Sequence, residues 1–301
     1  MIVGVGELLW DVFPDGRKVA GGAPFNFAFH CHNLGHEAVV VSRVGDDDLG
    51  RELRAEVRRL GLSDEFIQTD PTHPTGTVQV TVDEQGQPSY EIVQNVAWDH
   101  IGWTEEFRHL VRKCKSICFG TLAQRADTSW DTIQNALRTQ LHEGEGAPLR
   151  VYDVNLREPH VQPGAVRASL ARAEWVKLNT DEAPRLAAVL GRELGDPVEF
   201  VKRLVCLTTP EQRCVMWTHG GSGCDVFGFH EDIHEPGIPA AVVDTVGAGD
   251  SFTAAMVCLH LEGRSLKDCA RFASHYAARV CEHRGGTPRI DRAEVERAAF
   301  G

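Results

Sequence analysis

Residues 243–252 read Val-Asp-Thr-Val-Gly-Ala-Gly-Asp-Ser-Phe. The paired glycines, followed by apolar residues at helical spacing (Phe252, Ala255, Met256, Leu259), predict a strand ending at Val243, a tight turn and a helix over 248–261. The amides of Gly247, Ala248, Gly249 and Asp250 would point out of the helix start. Free N–H groups at the positive end of a helix suit a phosphate that gains charge during transfer. An acid is common at a helix start for its own sake. Beside a bound anion, however, Asp250 is out of place unless it does chemistry, orienting a hydroxyl and taking its proton.

The rest of the chain alternates short apolar runs with amphipathic stretches. Strands are expected over 2–6, 38–42, 116–119, 149–154, 175–178 and 214–218. Helices are expected over 24–34, 48–60, 129–142, 166–172, 181–190 and 197–204. Near-continuous apolar strands between helices imply an α/β fold whose mostly parallel sheet is covered on both faces. Residues 75–101 break this pattern: Val78, Val80 and Val82 alternate with polar residues, a turn follows at 85–88, then Tyr90 and Ile92. That is a hairpin with one wet face, and 10–19, centred on Asp15-Gly16, reads as another. The two would pair as a small lid over a pocket, roughly 10–20 and 75–101, within a single domain spanning 1–301.

Composition narrows the functions. The 301 residues carry a net charge of −12, which disfavours nucleic acid and anionic membranes as partners. No apolar run approaches the roughly 20 residues that span a bilayer. The N-terminus shows no basic, apolar and small-residue pattern of a signal peptide. Nine scattered cysteines without a Cys-x-x-Cys pair read as reduced, mostly buried thiols, and a cytoplasmic enzyme is expected.

Residues 243–252 closely resemble the second signature of the ribokinase-like (PfkB) carbohydrate kinases. Three more stretches resemble that family in its order: Gly21-Gly-Ala-Pro-Phe-Asn-Phe-Ala28, Arg43-Val-Gly-Asp-Asp-Asp-Leu-Gly50 and Trp217-Thr-His-Gly-Gly-Ser-Gly223. The resemblance covers nearly the whole chain and implies a three-layer α/β/α fold with a small β-sheet lid. It implies transfer of the γ-phosphoryl group of ATP to a sugar hydroxyl, with Mg²⁺ and in many relatives K⁺. Gly247, Ala248 and Gly249 would form the anion hole and Asp250 the base. Asp11, Gly22 and Asn26 would hold sugar hydroxyls. Thr218, Gly220, Gly221 and Gly223 would meet the nucleotide, with Ala277 and Gly285 in the adenine region. Asn179-Thr-Asp-Glu182 is similar to the family's N-x-x-E motif, in which Asn179 faces the nucleotide and Glu182 places Mg²⁺ through water. Asp244 would lie near a monovalent cation.

Two strings resemble fructokinase-like members. Phe119-Gly-Thr-Leu-Ala-Gln-Arg125 would put Gln124 and Arg125 on the sugar side. In Val151-Tyr-Asp-Val-Asn-Leu-Arg157, strand spacing would set Asp153, Asn155 and Arg157 on one face, where an Arg fork could meet a sugar or phosphate oxygen. Fructose is the preferred acceptor, with 2-keto-3-deoxygluconate and ribose as alternatives. A sugar- or nucleotide-binding protein without turnover is the alternative of another class. Phe25, Phe27 and Phe29 alternate too quickly for one helix face, so some are expected to meet the sugar turn or lid. Ser274, His275 and Tyr276 look bulky for an adenine pocket. His30, His32 and His36 read as polar helix positions. His230-Glu-Asp-Ile-His234 fits a zinc-peptidase string, but Gly228, Pro236 and Pro239 argue for a turn instead of the helix that chemistry needs. Val78, Val80 and Val82 could supply a dimer face.

Overall fold

The computed structural model describes residues 1–82, 88–139, 147–205 and 213–301. The first strands are β1 (Ile2–Val5), β2 (Leu9–Val12), β3 (Lys18–Gly21), β4 (Ala38–Gly45), β5 (Ile67–Asp70), β6 (Thr77–Val82) and β7 (Pro88–Ile92). They are followed by β8 (Ser116–Gly120), β9 (Leu149–Asp153), β10 (Trp175–Asn179), β11 (Cys214–Thr218), β12 (Gly223–Gly228) and β13 (Asp232–Pro236). The helices are α1 (Ala23–Asn33), α2 (Asp48–Arg59), α3 (Glu105–Lys113), α4 (Asp127–Arg138), α5 (Pro163–Arg172), α6 (Glu182–Leu190), α7 (Pro197–Leu204), α8 (Ala248–Leu261), α9 (Leu266–Cys281) and α10 (Arg292–Phe300). The expected turn at 85–88 and the helix end at 140–142 fall largely or wholly outside the described residues.

Nine strands form one sheet in the order β13-β12-β11-β10-β9-β8-β1-β4-β5. Every pairing from β11 to β5 is parallel, and β12 and β13 add an antiparallel edge. Strand alternation sends side chains to two cores: Ala38, Val40 and Val44 of β4 join one, Val39 and Val41 the other. Helices α1, α2, α8, α9 and α10 pack in the first, and α3 to α7 in the second. A second sheet, β3-β2-β6-β7, stands apart from the first. No helix of the described residues is long and apolar enough to cross a membrane.

Several expectations are corrected by packing. No strand ends at Val243: the last one stops at Pro236, where Pro236, Gly237 and Pro239 break the ladder. Val242 and Val243 are exposed in the loop that follows. All three phenylalanines of α1 lie in the core, at most 1% exposed, because the helix is enclosed on every side. His30 is buried as well, with Nδ1 on the Tyr276 hydroxyl and Nε2 on the Gly286 carbonyl, and burial pushes it down to about 4. Tyr276 therefore faces α1 and not an adenine pocket. Val78 and Val80 are buried against the chain's own body, so they offer no dimer face; the side chain of Val82 lies outside the described residues. His234 sits on β13 and bonds Asp225, and no metal-holding cluster of His, Cys, Asp or Glu occurs among the described residues.

The stretch 43–50 anchors the small sheet. Asp47 caps α2 by accepting from the Gly50 amide, and it also accepts from the amide and hydroxyl of Thr75, two residues before β6. Replacing Asp47 by Ala removes all three bonds and is expected to lower stability by about 2 kcal/mol. Urea unfolding measures this; an unchanged midpoint would contradict the anchoring role.

Candidate active site

The carboxyl ends of β1, β9, β10 and β11 open into a cavity of about 530 Å³ roofed by the small sheet. Its floor is the turn into α8. Gly247, at φ +77°, holds a backbone that strains other residues, and a Cβ there would lie 2.6 Å from the Gly286 carbonyl oxygen. Among the described residues no side chain caps α8, unlike α2, α3, α7, α9 and α10; the Ala248 amide donates to the Thr245 carbonyl oxygen at 3.3 Å, which leaves those of Gly247 and Gly249 open at the helix start. Lys177 enters from β10, and a Cβ on Gly249 would meet its Nζ at 2.6 Å. An amine beside open amides is a donor set that fits a polyphosphate.

Asp250 lies beside this floor. Its Oδ2 accepts from Asn26 Nδ2 at 2.8 Å, which ties α8 to the first turn of α1. Burial pushes Asp250 up to about 6 and nearby Asp153 adds to this, while the Asn26 bond, Lys177 and Arg157 oppose it. On the other wall stand Asp11, Gly22 and Asn26, joined by Glu7. Burial also raises Asp11 to about 6, against the pull of Arg157. Gly22, at φ +116°, packs so tightly that a Cβ would lie 2.2 Å from the Glu7 carbonyl oxygen.

Asn155 and Arg157 line the cavity, but Asp153 does not share their face. Strand β9 stops at Asp153, and Asn155 takes a left-handed backbone with φ 32°, which breaks the strand alternation. Asp153 turns instead to Lys177 Nζ, at 3.3 Å. Gln124 and Arg125, expected on the sugar side, do not line the cavity. Gln124 is buried among Gly120, Ser169 and Gln134; Arg125 forks onto Asp99 at 2.7 and 2.8 Å and lies over Trp98. Leu122 of the same string meets the cavity.

Of the residues expected to meet the nucleotide, Asn179, Thr218 and Gly220 line the cavity, while Gly221, Gly223, Ala277 and Gly285 do not. Gly223 is needed elsewhere, since a Cβ there would lie 2.1 Å from the Glu235 carbonyl oxygen. Ala277 packs on the core. Gly285 donates to Asp244 Oδ2 and Val246 to Asp244 Oδ1, so Asp244 ties two loops together away from the cavity wall. Glu182 is buried behind Asn179, with its oxygens taken by the amides of Leu156 and Asn179.

The pfkB family carbohydrate kinase pattern matches residues 12–292. The chain belongs to that family. Among its curated relatives, a probable fructokinase-3 of Arabidopsis thaliana is 27% identical over 100% of this chain and 91% of its own length. A sugar kinase of Pyrococcus horikoshii, solved in complex with ATP, superposes with a TM-score of 0.80 at 25% identity, covering 99% of this chain and 97% of that one. A ribokinase II of E. coli in complex with ATP and Mg²⁺ superposes at 0.80 with 18% identity, a likeness of fold. This pfkB kinase is thus a carbohydrate kinase on a ribokinase-like fold.

Two charged cavity residues of this pfkB kinase escaped the sequence reading. Glu7 lies two residues past the end of β1, and Lys177 is the one charge within the apolar strand Trp-Val-Lys-Leu-Asn. A lysine in a buried strand is rare unless paired, and that was the available signal. Burial opposes its charge, but Asp153, Glu182 and Asp250 outweigh this and hold Lys177 protonated.

Proposed function

We infer that this kinase moves the γ-phosphoryl group of ATP to a hydroxyl of fructose, with Asp250 as the base. The observation that carries this reading is the 2.8 Å bond from Asn26 to Asp250, which joins the two cavity walls at the carboxylate. The acceptor O–H proton passes to Asp250 as the oxygen attacks the γ phosphorus. The bond from that phosphorus to the β–γ bridging oxygen breaks, and ADP leaves. The amides of Gly247 and Gly249, with Lys177, meet the charge on the transferring oxygens, and the Ala248 amide joins them if it leaves the Thr245 carbonyl. Asn179, whose amide donates to Glu182 Oε2 and whose Oδ1 accepts from the Glu182 amide, would hold a magnesium ion through water, and the ion when bound would neutralise charge on the phosphates.

A neutral polyol fits better than a sugar acid. Glu7, Asp11 and Asp250 crowd the acceptor end, and Arg157 already offsets all three. An incoming carboxylate would add negative charge to this group of acids. ADP release with Mg·ATP is the test, across fructose, ribose and 2-keto-3-deoxygluconate. Fructose is expected to give the highest kcat/KM; a higher value for the sugar acid would overturn the assignment.

A further inference from the structure

We propose that Glu7 is a sugar-contacting residue, its free Oε2 and the free Oδ1 of Asn26 together reading adjacent hydroxyls of the acceptor. This rests on the reading of a polyhydroxylated acceptor. Glu7 is 2% exposed and Asn26 5%, yet both line the cavity. Each is pinned by one atom: Glu7 Oε1 accepts from the Ala23 amide at 3.2 Å, and Asn26 Nδ2 donates to Asp250. The other atom of each, Glu7 Oε2 and Asn26 Oδ1, is buried without a hydrogen bond among the described residues. Buried polar atoms are nearly always satisfied, so an orphan atom on a residue that lines a cavity is a place for a ligand group to bond. Ala23 and Asn26 are one helical turn apart, so the two orphans sit over the same first turn of α1.

A hydroxyl suits this pair because it both donates and accepts. Burial pushes Glu7 up to about 7; Asp250 on α8 adds to this, while the Glu7 and Ala23 amides and Arg157 oppose it. In its ionised form Glu7 accepts from one hydroxyl through Oε2, as Asn26 accepts from another through Oδ1.

Glu7→Gln tests the role with little change of shape. Gln keeps the acceptor for the Ala23 amide and turns Oε2 into an NH₂ donor. The expected result is a KM for D-fructose raised roughly 10- to 100-fold, with KM for Mg·ATP within about twofold. The melting temperature stays near wild type. The penalty should vanish for the deoxyfructose that lacks the hydroxyl read by Glu7. An unchanged fructose KM, or an equal penalty across all deoxyfructoses, overturns the proposal. Should the wild type phosphorylate none of these sugars, the fructose reading fails separately. A crystal structure of the unliganded protein then decides: an ordered water bonded to both Glu7 Oε2 and Asn26 Oδ1 supports the subsite, and a protein group on Oε2 removes it.

Discussion

Asp250→Asn is expected to lower kcat by about 10³-fold while leaving the KM values for sugar and Mg·ATP within a few-fold. Asn keeps the shape and can still bond Asn26, but it cannot take a proton. The pH dependence gives a second reading. A base works only when ionised, and Asp250 is held up near 6 by burial. kcat/KM of the wild type should therefore fall as the pH drops through about 6. Asp11 is raised into the same range, so the limb is expected to be steeper than one proton. The residual activity of the Asn variant should lose the part owed to Asp250. A folded Asn variant with near-normal kcat would remove Asp250 from its role.

Lys177→Met should be the next largest loss, about 10²- to 10³-fold in kcat, because it removes a fixed positive charge beside the phosphate floor. The variant carries a complication that can be separated. Lys177 neutralises Asp153 at 3.3 Å, and both are buried, so removing one charge strands the other at a cost of about 3–5 kcal/mol. The double variant Lys177→Met with Asp153→Asn removes both charges and should recover most of the stability. Its kcat should stay low. If stability and kcat recover together, Lys177 is a packing residue and the phosphate assignment falls.

The sequence was readable where a residue's role is fixed by its neighbours along the chain. The glycine turn into α8 shows itself through spacing alone, and the parallel strands through their unbroken apolar runs. Facing is harder, because it depends on what packs alongside. Phe25, Phe27 and Phe29 look too many for one helix face until α1 proves to be enclosed all round. Gln124 and Leu122 are two residues apart, yet one turns into the core and the other to the cavity. Asn155 reverses the expected alternation through one positive φ, which no periodicity announces. Glu7 and Lys177 were hidden for the opposite reason: each is a single charge in or beside an apolar strand, and only the three-dimensional convergence gives it partners.

The bond between Asn26 and Asp250 joins positions 224 residues apart in the chain. A contact of that range closes late, since loop entropy must be met before it forms. A chain emerging from synthesis or refolding from denaturant can thus build its early strands, and even its sugar wall, while remaining catalytically blank. With Asp250 as the base, turnover would begin only once α8 has docked on α1. Activity in this molecule is a report that both ends of the chain have come home.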